Sequence, residues 1–224
     1  MKSLGKYQEK VKLISIDIKD EKLNGLLHMP RICRGLIMFV HGSGSSRLSP
    51  RNQYVASCLS EANFATLLFD LLTPKEEEID AITGEYRFNI KLLAERLMQV
   101  TAWAQKQENL NPLPIGYFGS STGAAGALIA ASHYKQEIHA IVSRGGRPDL
   151  AAGALKDVVA PTLLIVGGLD YQVIELNQEA QKQMTNINKL QIIPDATHIF
   201  PEPGKLEEVA KAATDWFTKY LNSE

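Results

Sequence analysis

Apolar positions along the chain follow three rhythms, and their order outlines a layered fold. Between residues 11 and 18 apolar and polar side chains largely alternate (Val11, Leu13, Ile14, Ile16, Ile18), and a second stretch, residues 23–29, follows the charged segment Lys19-Asp20-Glu21-Lys22. That rhythm predicts an antiparallel hairpin with one buried face, as at the edge of a sheet. Residues 35–40 are apolar apart from the opening glycine, which predicts a strand covered on both faces. Residues 65–69, 114–118, 138–143 and 161–166 repeat this second rhythm, and residues 190–193 read as a last short strand.

Helical spacing fills the intervals. Tyr54, Val55, Cys58, Leu59 and Ala62 share one face of a helix that Ser49 caps and Pro50 begins. Ile90, Leu93, Leu97, Val100 and Ala104 form a second stripe, ending before Asn111-Pro112. Residues 124–131 are small and apolar throughout, as in a helix pressed against a sheet. Val173, Leu176, Ala180 and Met184 mark another helix, and Leu206, Val209, Ala210, Ala213, Trp216, Phe217 and Tyr220 the closing one. Residues 71–86, with Pro74, the run Glu76-Glu77-Glu78 and Gly84, are expected to be irregular, the acidic run a solvated face. Strand and helix alternate, so the expected class is α/β: a mostly parallel twisted sheet behind an N-terminal antiparallel hairpin, helices on both faces, no separate cap domain.

The 224 residues suit one domain, residues 1–224, better than two. A formal net charge of -1 favours neither nucleic acid nor an anionic membrane. The opening residues are polar rather than leader-like, and no apolar run approaches the roughly 20 residues of a membrane span. Cys33 and Cys58 match no metal or redox spacing and are expected to be buried thiols, so the default expectation is a cytoplasmic protein.

Chemistry concentrates at Gly119-Ser120-Ser121-Thr122-Gly123, between a strand and a helix. A G-x-S-x-G segment in that context describes a nucleophile elbow. The serine sits on a sharp, strained turn, its flanking glycines avoid a clash, and the following helix points unpaired N–H groups at whatever the serine attacks. A serine nucleophile needs a base, itself oriented by an acid. Of the five histidines, His28, His133 and His139 fall in elements expected to be structural or on the surface, and the backbone matters more than the ring at His41. His198, just past the last strand, is at the same sheet edge as the elbow. Asp170 follows a strand directly after Gly167-Gly168 and is the candidate acid; Asp149 is the reserve, and Asp195 lies very near His198 in sequence. Oxyanion donors are expected from the backbone N–H groups of Thr122 and Ser43, the latter in His41-Gly42-Ser43-Gly44.

These four segments, with Gly168-Leu169-Asp170 and Ala196-Thr197-His198 completing the set, resemble the α/β-hydrolase superfamily over nearly the whole chain. Compact size and the missing cap look like the dienelactone hydrolase group, with Ser121 standing where dienelactone hydrolases proper carry a cysteine. The resemblance implies an α/β-hydrolase fold and cleavage of a small ester, lactone or thioester through an acyl-enzyme, with no metal or organic cofactor. Its partner would be a small-molecule substrate, not nucleic acid or membrane. Arg144, Arg47 and His41 are candidate substrate contacts; Arg51 also flanks the oxyanion loop, and an arginine there would suit a carboxylate. The same residues would serve an acyltransferase or thioesterase, and a non-catalytic binding protein on this fold is the competing class.

Overall fold

The computed structural model describes residue 7, residues 10–19 and residues 21–221. Most of the polar opening stretch and Asp20 of the charged segment lie outside these residues. The strands are β1 (Lys12–Ile18), β2 (Glu21–His28), β3 (Leu36–Val40), β4 (Ala65–Phe69), β5 (Ile115–Ser120), β6 (Ile138–Arg144), β7 (Thr162–Gly167) and β8 (Asn188–Ile193). The helices are α1 (Pro50–Glu61), α2 (Pro74–Thr83), α3 (Ile90–Ala104), α4 (Thr122–Tyr134), α5 (Tyr171–Gln183) and α6 (Lys205–Tyr220).

All eight strands join one sheet in the order β1-β2-β4-β3-β5-β6-β7-β8. The β1/β2 and β2/β4 pairs are antiparallel, and every pair from β4/β3 to β7/β8 is parallel. The two apolar rhythms have their cause here. β1 and β2 bury one face, while β3 feeds two cores: Leu36, Met38 and Val40 pack toward α3 and α4, and Ile37 and Phe39 toward α1 and α6. Each such fully buried aliphatic or aromatic side chain contributes about 1.5–3 kcal/mol.

The direction of winding reverses between β3 and β5. From β3 the chain moves outward to β4, and after β5 it moves the other way through β6, β7 and β8. The crevice outside the carboxyl ends of β3 and β5 is therefore the place where an open α/β sheet takes a ligand.

The segment expected to be irregular contains helix α2. Its Thr73 hydroxyl accepts from the Glu76 N–H, and the Glu76 carboxylate accepts from the Thr73 N–H at 2.8 Å. That capping box satisfies two otherwise orphaned donors. Pro74 and Gly84, which break a helix interior, occupy its first turn and its left-handed C-cap (φ 67°), where each is favoured. Glu77 and Glu78 are solvated as expected, but Glu76 also pairs with Arg96. The loop expected after β6 runs into a 3-10 segment, Pro148–Asp157.

Candidate active site

The turn from β5 into α4 places Ser121 at φ 51°, ψ -122°, a conformation that costs a non-glycine residue of order 1–3 kcal/mol. What holds it there is close packing on both sides. A Cβ at Gly123 would lie 2.3 Å from the Val40 carbonyl oxygen and 2.4 Å from that of His41, so only glycine lets α4 start against the end of β3. The Ser121 backbone is pinned to the neighbouring strand: its N–H donates to the Arg144 carbonyl (3.2 Å), and its carbonyl accepts from Arg147 (3.1 Å).

The loops after β7 and β8 bring Asp170 to His198. The Gly168 N–H donates to the Ile193 carbonyl at 2.7 Å and the Leu169 N–H to the Ala196 carbonyl at 2.9 Å. A Cβ at Gly167 would meet the Ala196 carbonyl oxygen at 2.4 Å, so this approach also requires glycine. Asp170 Oδ2 and His198 Nδ1 are then 2.6 Å apart. With Asp170 ionised, Nδ1 carries the proton and donates, leaving Nε2 as the acceptor. Asp170 sits at the N-cap position of α5 without capping it through its side chain. Asp149, the reserve, is instead clamped by Arg147 through Nε (2.9 Å) and Nη2 (2.7 Å).

Ser121 and His198 line one cleft of about 170 Å³, together with Gly42, Ser43, Ser45 and Arg144. Ser43, which lines the cleft, meets Thr122. The Ser43 N–H donates to Thr122 Oγ1 at 2.9 Å, and the Ser43 hydroxyl donates to the Arg87 carbonyl at 2.7 Å. The Thr122 hydroxyl, 2.9 Å from Ser43 Oγ, therefore donates to it, because the Ser43 proton is engaged elsewhere. Arg87 is held in turn by Asp80: the Tyr86 and Arg87 N–H groups donate to Oδ1 at 2.7 and 2.9 Å, and Arg87 Nε donates to Oδ2 at 2.7 Å. Burial works to raise the Asp80 pKa, but these donors outweigh it and hold it below the ordinary carboxylate value. Helix α2 thus braces the loop that carries Ser43, a link not read from the sequence, as the helix itself was not. The capping spacing Thr73-x-x-Glu76 was the available signal.

Two candidate substrate contacts are committed elsewhere. Arg47 gives its backbone N–H (2.9 Å) and its guanidinium to Asp70. His41 is buried; its Nε2 accepts from the Leu71 N–H at 3.1 Å, so Nδ1 is the protonated nitrogen and donates to the Gly42 carbonyl at 3.0 Å. Burial lowers its pKa despite the opposing Gly42 bond and Asp70 charge, so the ring is neutral and structural. Arg144 does reach the cleft, and Arg51 lines it as well. Burial, and then repulsion from Arg51, push the Arg144 guanidinium down to about 10.

Among the described residues no three His, Cys, Asp or Glu side chains gather where they could hold a metal ion. Cys33 and Cys58 are free and only part-buried, less enclosed than expected. No described helix is long and apolar enough to cross a membrane.

A family model described as "Dienelactone hydrolase family" matches residues 53–223. A dienelactone hydrolase from Anabaena variabilis is 50% identical, superposes with a TM-score of 0.93, and is covered over 95% of this chain and 100% of that one. Est1E from Butyrivibrio proteoclasticus shares the fold at 20% identity, with a TM-score of 0.76 over 92% of this chain and 98% of its own. A Mycobacterium tuberculosis protein provisionally named a phosphoribosyl transferase is 56% identical over 197 residues, 88% of this chain. The match covers 44% of that protein, so this chain spans less than half the length of its curated relative.

Proposed function

Since the chain belongs to the dienelactone hydrolase family, we propose that it is a serine hydrolase that opens a small ester or lactone through an acyl-enzyme. The observation that carries this reading is the 2.6 Å Asp170–His198 contact, with His198 lining the same cleft as the strained Ser121. In the proposed reaction Ser121 Oγ attacks the substrate carbonyl while His198 Nε2 takes its proton. Asp170 fixes the imidazole tautomer and stabilises the imidazolium. Bond order at the carbonyl falls to one, and its oxygen becomes an anion facing the N–H groups of Ser43 and Thr122. Each such donor is worth about 2.7–4 kcal/mol to the transition state. His198 returns the proton to the leaving alkoxide, and water repeats the sequence to free the acid.

Thr122 Oγ1 marks where the anion would sit, since it already occupies the acceptor position 2.9 Å from the Ser43 N–H. Productive binding then requires the substrate oxygen to replace that hydroxyl. The transferase name of the Mycobacterium relative describes a protein more than twice as long as the matched region, and the hydrolase reading rests on residues within this chain.

Labelling with a fluorophosphonate, followed by peptide mapping, tests the assignment. A single adduct on Ser121 that disappears in His198→Ala is the expected result. Folded protein that takes up no label would refute it.

A further inference from the structure

The cleft beside Ser121 contains an arrangement that the hydrolytic steps do not use. Arg144 is only 8% exposed, and among the described residues the one acceptor its guanidinium reaches is Asn52 Oδ1, 3.3 Å from Nη2. Its Nε and Nη1 are buried without a partner among the described residues, and so is Nε of Arg51. No aspartate or glutamate lines this cleft. Nearby carboxylates are already matched, Asp70 with Arg47 and Asp170 with His198. Asn52 Oδ1 is itself shared, since it also accepts from the Ser120 hydroxyl at 3.2 Å.

Each part of this arrangement is unfavourable alone. Two guanidinium groups repel across the cleft, and burial removes Arg144 from water. Arg51 stands in the first turn of α1, where the positive end of the helix dipole disfavours a cation. A buried polar group with open donors is otherwise matched by something it binds.

We propose that Arg144 and Arg51 form a phosphate site, so that the substrate carries a phosphate-monoester dianion alongside the ester or lactone that Ser121 attacks. Charge decides between candidate anions. Two uncompensated guanidinium groups match a dianion, whereas one carboxylate would leave one of the two charges unmatched. Geometry agrees: a phosphate ester presents three terminal oxygens, and the three unpartnered nitrogens belong to two side chains, beside Ser45 and Ser49, which also line the cleft. The cleft volume of about 170 Å³ is below the roughly 300–1,000 Å³ of pockets for drug-sized ligands, so the substrate is small.

This inference rests on the Ser121 reading for its link to turnover, but not for binding, and the two can be tested apart. Binding is followed by thermal stability and by competition with fluorophosphonate labelling, using inorganic phosphate and acetate at matched ionic strength. Phosphate is expected to stabilise the wild type and slow labelling, with acetate much weaker. Arg51→Gln, at a part-exposed position, is expected to weaken phosphate binding roughly 10- to 100-fold. Arg144→Lys retains the charge without the fork and is expected to weaken it as well. Turnover is followed with the acetyl esters of glycerol and of glycerol 3-phosphate; kcat/KM should favour the phosphorylated ester by a similar factor in the wild type and lose that preference in Arg51→Gln. If the neutral ester turns over while phosphate neither binds nor competes, the phosphate site is wrong and the hydrolase stands. If acetate binds as well as phosphate, or Arg51→Gln binds phosphate like the wild type, the proposal is likewise overturned. Phosphate binding without turnover of either ester would uphold the site and remove the hydrolase reading.

Discussion

Replacing Gly123 with alanine adds one methyl group where α4 meets the end of β3. The new Cβ would lie 2.3 Å from the Val40 carbonyl oxygen, against 3.4 Å for ordinary contact, so α4 and the end of β3 must separate by about 1 Å. Both partners are backbone, and β3 is bonded on each side by β4 and β5, so neither can move cheaply. Overpacking of this kind costs about 1–3 kcal/mol, and here the upper end applies. Better helix propensity returns up to about 1 kcal/mol, leaving a net loss near 2 kcal/mol. Activity should suffer more. Ser121 rides on α4 and Ser43 on the loop leaving β3, and a 1 Å misplacement costs on the order of 100-fold in rate. The assay is kcat/KM on a small neutral ester together with the urea midpoint. Gly153→Ala is the control, because its Cβ would meet nothing within 4 Å. Gly123→Ala with a wild-type midpoint and activity within threefold would refute the claim that this contact sets the site.

Asp170→Asn should lower kcat by about 10⁴-fold through the wrong His198 tautomer, while Asp149→Asn should leave ester turnover near wild type; the reverse pattern in steady-state kinetics would reassign the acid. Folding stability should fall as pH drops below about 6.5, because burial lowers the pKa of His41 and His28 and the unfolded chain binds protons that the folded one refuses. Urea midpoints at pH 7.5 and 5.5 measure this, and His41→Gln should flatten part of the slope. Asp80 acts further down: its pKa is depressed, so its stabilisation is present above the unfolded carboxylate value near pH 4 and lost as pH falls through the folded one. Asp80→Asn should therefore destabilise at pH 7 and lessen the acid-side decline in the same titration.

The central strands were legible because burial on two faces leaves a short continuous apolar run: residues 36–40 are all buried, shared between two cores. Ser121, Asp170 and His198 were legible because each follows a strand, and parallel strands carry their ends to one edge. Helix α2 was not, since Pro74 and Gly84 read as breakers until their places at its two ends are known. Nor was the difference between Arg47 and Arg51. Three residues separate them in sequence, yet Asp70, distant along the chain, captures the first and leaves the second facing the cleft. Which arginine finds a carboxylate is decided by packing, to which local pattern is blind.

The strand order also bears on how activity is acquired during folding. Parallel neighbours cannot be joined by a tight turn, and each crossover must close a long loop before its contacts form. Ser43, Ser121, Asp170 and His198 follow β3, β5, β7 and β8, so they converge only once that succession of crossovers is complete. Topologies of this kind fold slowly. In refolding, ester cleavage should thus return with the slowest phase rather than with the early recovery of helix. A partly ordered chain would hold every side chain of the proposed mechanism and not yet be a catalyst.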